Sequence, residues 1–135
     1  MMKLLLVSHG NLAKEMFNVL RMITGKSDDV DYLTLPYGVD LNKYKNDIIA
    51  HVDGSDELLI LCDLFGGSPF MISSGLLGND ECKNKIAIIT GMNLPMVLEI
   101  ATQMPGKTLE EMRSLAVDIG KEGIVDLQKM IGQGG

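Results

Sequence analysis

Apolar residues gather into four short continuous runs, at 4–7, 30–35, 58–62 and 86–89. Between the runs they return every three or four positions. Continuous apolar runs without alternation predict strands buried on both faces, as in a parallel sheet covered by helices. The second run, Val30-Asp31-Tyr32-Leu33-Thr34-Leu35, alternates more, which points to an edge of the sheet. Each intervening segment opens on a capping residue and carries one apolar stripe. Asn11 precedes Leu12, Met16, Leu20 and Ile23, a stripe stopped by Gly25. Asp40 precedes Leu41, Tyr44, Ile48 and Val52, ending near Gly54. Ser68 with Pro69 predicts the start of a third helix, through Phe70, Met71 and Ile72 to about Leu77, because proline suits a first turn whose N–H groups lack partners. Asn93 with Pro95 opens a fourth helix reaching Met104, and Thr108 caps a fifth that carries Leu109, Met112, Ala116 and Ile119. The segment from Gly123 to Leu127 fits equally a weak fifth strand or the start of a last short helix through Met130.

Strand-then-helix alternation predicts a doubly wound α/β fold: a mostly parallel four-stranded sheet in the order 2-1-3-4, with helices on both faces. The chain of 135 residues suits one core, so a single domain is expected over residues 1–131, followed by a flexible tail at 132–135. A formal net charge of −6 argues against nucleic acid or an anionic membrane as the main partner, because both call for a basic surface. Cys62 and Cys82 form neither a disulfide framework nor a metal-ligand spacing. No metal or other cofactor is expected. No apolar run approaches the ~18 residues needed to cross a bilayer, and no secretory leader is seen, so a cytoplasmic protein without membrane insertion is expected.

Polar and glycine residues crowd the ends of the four runs. The first ends in Ser8-His9-Gly10 and the third in Asp63-Leu64-Phe65-Gly66-Gly67-Ser68. In an open α/β sheet these carboxyl ends are where ligands bind, and strands one and three flank the switch point. His9 and Asp63 are therefore expected side by side. A carboxylate there would fix the tautomer of the ring and leave the far nitrogen as a nucleophile. Gly66, Gly67 and Ser68, passing into a helix start, would supply N–H groups and a hydroxyl for an anion such as phosphate. The chain lacks GxGxxG, GxxxxGK and GxSxG, which excludes the corresponding nucleotide and hydrolase signatures. An aspartyl-phosphate receiver domain fits Asp63 and Thr90 but needs an acidic pair after strand one, where Ser8-His9 stands. His51 falls near the end of the second helix, where a ring suits the helix dipole.

With these residues in place, the chain resembles the IIA domain of the mannose-family sugar phosphotransferase system. The likeness runs through Ser8-His9-Gly10, Leu12-Ala13, Gly25, DLFGGSP at 63–69, Thr90-Gly91-Met92-Asn93-Leu94-Pro95-Met96 and Gly120-Lys121-Glu122-Gly123-Ile124. The resemblance implies a phosphocarrier: His9 accepts a phosphoryl group on Nε2 from the histidine phosphocarrier protein and passes it to a IIB component that serves sugar uptake. Asp63 would orient His9 through Nδ1, and Ser68 with its backbone neighbours would contact the phosphoryl oxygens. Leu64, Phe65 and Met92 would dock the partners. The resemblance further implies a homodimer with a C-terminal strand exchanged antiparallel onto the partner's sheet, which favours a strand at 124–127. The apolar segment 94–104 is expected at a dimer face. Two departures stand out. Met71 occupies a position that is commonly Asn in the family, and no IIB domain is fused to the sequence, so a separate IIB partner is expected. The phosphotransfer subunit of a dihydroxyacetone kinase and a non-enzymatic anion-binding regulatory module are the alternatives.

Overall fold

The computed structural model describes residues 1–133. Four parallel strands, β1 (Met2–His9), β2 (Val30–Leu35), β3 (Glu57–Cys62) and β4 (Ile86–Ile89), form one sheet in the order β2-β1-β3-β4. The helices are α1 (Leu12–Thr24), α2 (Leu41–Asp53), α3 (Gly67–Gly75), α4 (Leu94–Gln103), α5 (Leu109–Glu122) and α6 (Leu127–Gln133). A single 3₁₀ turn, Leu76–Gly78, extends α3. The alternating β2 is indeed an edge strand.

The strands read as unbroken apolar runs because both faces of the sheet are covered. Leu4, Leu6, Leu59 and Leu61 pack with Leu20 of α1, Val97 and Ile100 of α4, and Met112 and Ala116 of α5. Leu5, Val7, Leu58 and Ile60 point the other way, toward Tyr44, Ile48 and Val52 of α2 and Leu76 after α3. Leu4 through Val7 are all at most 1% exposed. Each such side chain contributes roughly 1.5–3 kcal/mol relative to exposure. From β1 the chain moves outward to β2, and from β3 it moves the opposite way to β4, so the β1/β3 boundary is the switch point.

Local signals explain most helix boundaries. Asp40 accepts from the Asn42 N–H, Asn93 from the Met96 N–H, and Thr108 forms a reciprocal capping box with Glu111. The glycines near the end of α5 have a packing reason. A Cβ on Gly120 would lie 2.7 Å from Met96 Cε, and one on Gly123 would lie 2.6 Å from Pro95, so α5 can close on the start of α4 only without them. Asn93 Nδ2 fastens the same contact by donating to the Gly120 carbonyl at 2.8 Å.

Several expectations need correcting. Asn11 precedes α1 without a side-chain cap; the capping oxygen is Ser8 Oγ, which accepts from the Ala13 N–H at 2.7 Å while wholly buried. The third helix begins at Gly67, with Gly66 as its N-cap, so Ser68 is a first-turn residue rather than the cap. The expected dimer face at 94–104 is largely spent inside the chain. Met96, Val97, Ile100 and Met104 are at most 5% exposed, packed in the core shared with α1 and α5. Residues 124–126 are irregular and α6 begins at Leu127, so in the single chain neither alternative holds throughout 124–127 and only Leu127 is helical. Of the expected flexible tail, 132 and 133 end α6, and 134–135 lie outside the described residues. Among the described residues no helix is long and apolar enough to cross a membrane.

Candidate functional site at the switch point

The register of β1 against β3 places Val7 opposite Cys62. The two strands therefore deliver their next residues to the same edge, and the sheet is still joined there by the Asp63 N–H donating to the Val7 carbonyl at 3.2 Å. His9 closes β1 and Asp63 follows β3, as the order of strands predicts. The Asp63 carboxylate is 7% exposed and the His9 ring 47%. Oδ2 of Asp63 accepts two bonds from the same residue, one from the His9 backbone N–H at 2.9 Å and one from the ring Nδ1 at 2.8 Å. Oδ1 accepts from the Leu64 N–H at 3.0 Å.

The electrostatics follow from these contacts. Desolvation works against charge on Asp63, but the backbone N–H and ring of His9, together with the Leu64 N–H, outweigh it and hold the carboxyl below the usual carboxylate range. An ionised carboxylate only accepts, so in the neutral ring Nδ1 carries the proton and Nε2 the free lone pair.

Nε2 meets the start of α3. A methyl group on Gly67 would lie 2.7 Å from His9 Cε1 and 2.9 Å from Nε2, and Gly67 has φ of +78°. Only glycine lets the first residue of α3 come this close to the ring in that backbone conformation. The first-turn N–H groups of a helix lack intrahelical partners and its N-terminal end favours negative charge. Of the two glycines only Gly67 reaches the ring, since a Cβ on Gly66 would meet nothing within 4 Å, and Ser68, half-buried, is the second residue of α3.

The expected docking residues divide. Leu64 is 47% and Phe65 78% exposed, with the Phe65 ring 4.7 Å from that of Phe70. Met92 is 6% exposed and belongs to the core. Its N–H donates to the Cys62 carbonyl at 3.0 Å, and its side chain lies in the core cluster that includes Met96, Val97 and Ala116. Met71 is 62% exposed, as is wholly the case for Tyr37 in the loop after β2. His51 lies far from this edge: its Nδ1 is 2.9 Å from the Asp47 carbonyl and its Nε2 2.9 Å from Asp31 Oδ2. Neither His9 nor Asp63 lines the cavity of about 790 Å³ among Met1, Thr24, Asp28, Glu57 and Met104. Among the described residues no group of three or more His, Cys, Asp or Glu side chains could hold a metal ion.

The sequence carries no local signal for Ser8 as an anchor or for Cys62 as a neighbour of the carboxylate. Ser8 lies five residues before the N–H it caps, outside the usual local spacing. Cys62 was the apolar end of a strand, although its Sγ lies 3.7 Å from Asp63 Oδ1 and 3.6 Å from the Leu64 carbonyl.

Fold and site together define a doubly wound α/β protein with a carboxylate-held histidine at its switch point. Residues 3–117 match the family EIIA-man, described as PTS system fructose IIA component, and the chain belongs to that family. It is 29% identical over 126 residues to the PTS system mannose-specific EIIAB component of Escherichia coli K12, covering 90% of this chain but 38% of that protein. The chain thus spans well under half the length of that relative. It is 27% identical to the PTS system sorbose-specific EIIA component of Lacticaseibacillus casei, covering 90% of this chain and 87% of that one. Among solved structures, phosphotransferase system component EIIA from Streptococcus agalactiae superposes with a TM-score of 0.88 at 29% identity, covering 96% of this chain and 99% of that one. The mannose/sorbose specific IIA subunit from Enterococcus faecalis gives 0.82 at 25% identity, covering 92% of each chain.

Proposed function

We propose that this chain is a phosphocarrier of a sugar phosphotransferase system, in which His9 Nε2 accepts a phosphoryl group from the histidine phosphocarrier protein and passes it to a IIB component. The observation that carries the reading is the double hold of Asp63 Oδ2 on His9, which commits Nδ1 to the carboxylate and leaves Nε2 beside the start of α3. The family membership supports it.

In the forward step the Nε2 lone pair forms the new P–N bond as the donor's P–N bond breaks, and the donor imidazole leaves with that electron pair. No proton has to leave Nε2, because Nδ1 already carries it. The positive charge that develops on the ring is balanced by Asp63. The first-turn N–H groups at Gly67 and Ser68 would meet the phosphoryl oxygens. Transfer of this kind depends on positioning and charge more than on acid-base work. An exposed ring on an open edge suits handing a group from one protein to another. Leu64 and Phe65 supply exposed apolar area for that docking.

A homodimer belongs to the same reading. Ile124, Val125, Leu127, Met130 and Ile131 are each more than half exposed, an apolar run that a second copy would cover, and sedimentation equilibrium measures whether it does.

The direct test is incubation with phosphoenolpyruvate and the general phosphotransferase proteins. Acid-labile, base-stable label that disappears in His9→Ala supports the reading. An unlabelled chain, or label undiminished in His9→Ala, would sink it. Saturable phosphate binding without covalent label would favour an anion-binding module instead.

A further inference from the structure

Asp63 carries more than the one task of holding His9. Its Oδ2 takes both His9 donors, so the rotation of the carboxylate about its own axis depends on what holds Oδ1. One holder is the Leu64 N–H at 3.0 Å. The other is the Cys62 thiol, 3.7 Å from Oδ1 and 3.6 Å from the Leu64 carbonyl. Cys62 is fully buried, and burial pushes its thiol up to about 11, with the charge of Asp63 acting in the same direction. The sulfur therefore stays protonated and can only lend its hydrogen to an acceptor. Behind it, Tyr44 of α2 sits in the same buried cluster, 2% exposed, with a hydroxyl that has no hydrogen-bond partner among the described residues. Burial, and after it the nearby Cys62 and Asp63, oppose its ionisation. The titratable groups facing Asp63 are thus His9 from β1, Cys62 from β3 and Tyr44 from α2, and only His9 is open to solvent.

We propose that Cys62 is a positioning residue for the His9–Asp63 pair: its thiol hydrogen, shared between Asp63 Oδ1 and the Leu64 carbonyl, holds the carboxylate turned so that Oδ2 faces both donors of His9. The inference rests on the reading of His9 as phosphoryl acceptor for its effect on rate, but not for its effect on Asp63 itself. A thiol is a weak donor, so the effect is modest, and it separates from packing by chemistry. Serine keeps a donor at nearly the same place; alanine and valine do not.

The test compares Cys62→Ser, Cys62→Ala and Cys62→Val in the full chain. One readout is the acid titration of the Asp63 carboxyl carbon by NMR, the other the rate of His9 phosphorylation by phosphoramidate, a small donor that needs no docking surface. The alanine and valine variants are expected to titrate Asp63 at higher pH than the parent and to react about three- to tenfold more slowly, the scale of one ordinary hydrogen bond. Serine should restore both toward the parent. If alanine and valine leave the titration unmoved, or if serine behaves as they do, Cys62 only fills space and the proposal fails. If no chain takes a phosphoryl group from phosphoramidate or from the phosphoenolpyruvate-charged phosphotransferase proteins while the titration still shifts, the phosphocarrier reading fails and the positioning of Asp63 by Cys62 stands.

Discussion

Asp63 grips His9 with a single oxygen: Oδ2 accepts both the backbone N–H at 2.9 Å and the ring Nδ1 at 2.8 Å. One atom thereby fixes where the residue sits and how its ring is turned. Both bonds depend on an acceptor, which is why the charge of Asp63 matters as much as its place.

Asp63→Asn should fold and lose function. An amide can present its NH₂ to Nδ1, which would favour the opposite tautomer and put the proton on Nε2, where it blocks the lone pair. We expect phosphorylation of His9 to fall by roughly two to four orders of magnitude, with an unchanged circular dichroism spectrum. Rates equal to the parent would remove Asp63 from the mechanism.

The same carboxylate sets a pH dependence of stability. Its folded pKa lies below the ordinary value, so its contribution is fully present above the unfolded value of about 3.9 and is lost as pH falls through the folded one. Urea unfolding of the parent and of Asp63→Asn should differ most near neutrality, and the gap should close below about pH 4. A gap that stays constant to pH 3 would show that the charge adds nothing to stability.

Gly67→Ala should damage stability and reactivity together. Its φ of +78° strains any L side chain, and the new methyl would press within 3 Å of the ring. A loss of about 1–2 kcal/mol is expected from the backbone alone. The His9 ring resonances should move, and phosphorylation should slow further than the stability loss explains.

Ser8→Ala removes a buried cap and strands the Ala13 N–H. The expected cost is about 1–2 kcal/mol in chemical denaturation. Because α1 starts three residues beyond His9, the turn between them loosens, and amide exchange at Gly10 through Ala13 should quicken.

Most of the sheet was legible in the sequence because burial on both faces leaves an unbroken apolar signature, and because the capping residues Asp40, Asn93 and Thr108 act over two or three positions. The pairing of His9 with Asp63 followed from strand order alone. What escaped depended on contacts distant in the chain or on competition between local rules. Ser68 resembles a cap, but the two preceding glycines allow the helix to begin earlier, at Gly67. Met92 follows a strand that ends at a functional edge, yet its side chain is buried in the core shared with α4 and α5. The apolar segment at 94–104 is needed by the core of its own chain. At 124–127 the pattern was evenly balanced, and the helix took the segment from Leu127.

The most direct measurement is to locate the phosphoryl group on the ring, using ¹⁵N-labelled histidine and phosphorus–nitrogen correlation by NMR after charging from phosphoenolpyruvate. One P–N bond is expected, at Nε2 of His9, with Nδ1 still protonated against Asp63. A phosphoryl group on Nδ1, on His51 or on an oxygen would contradict it.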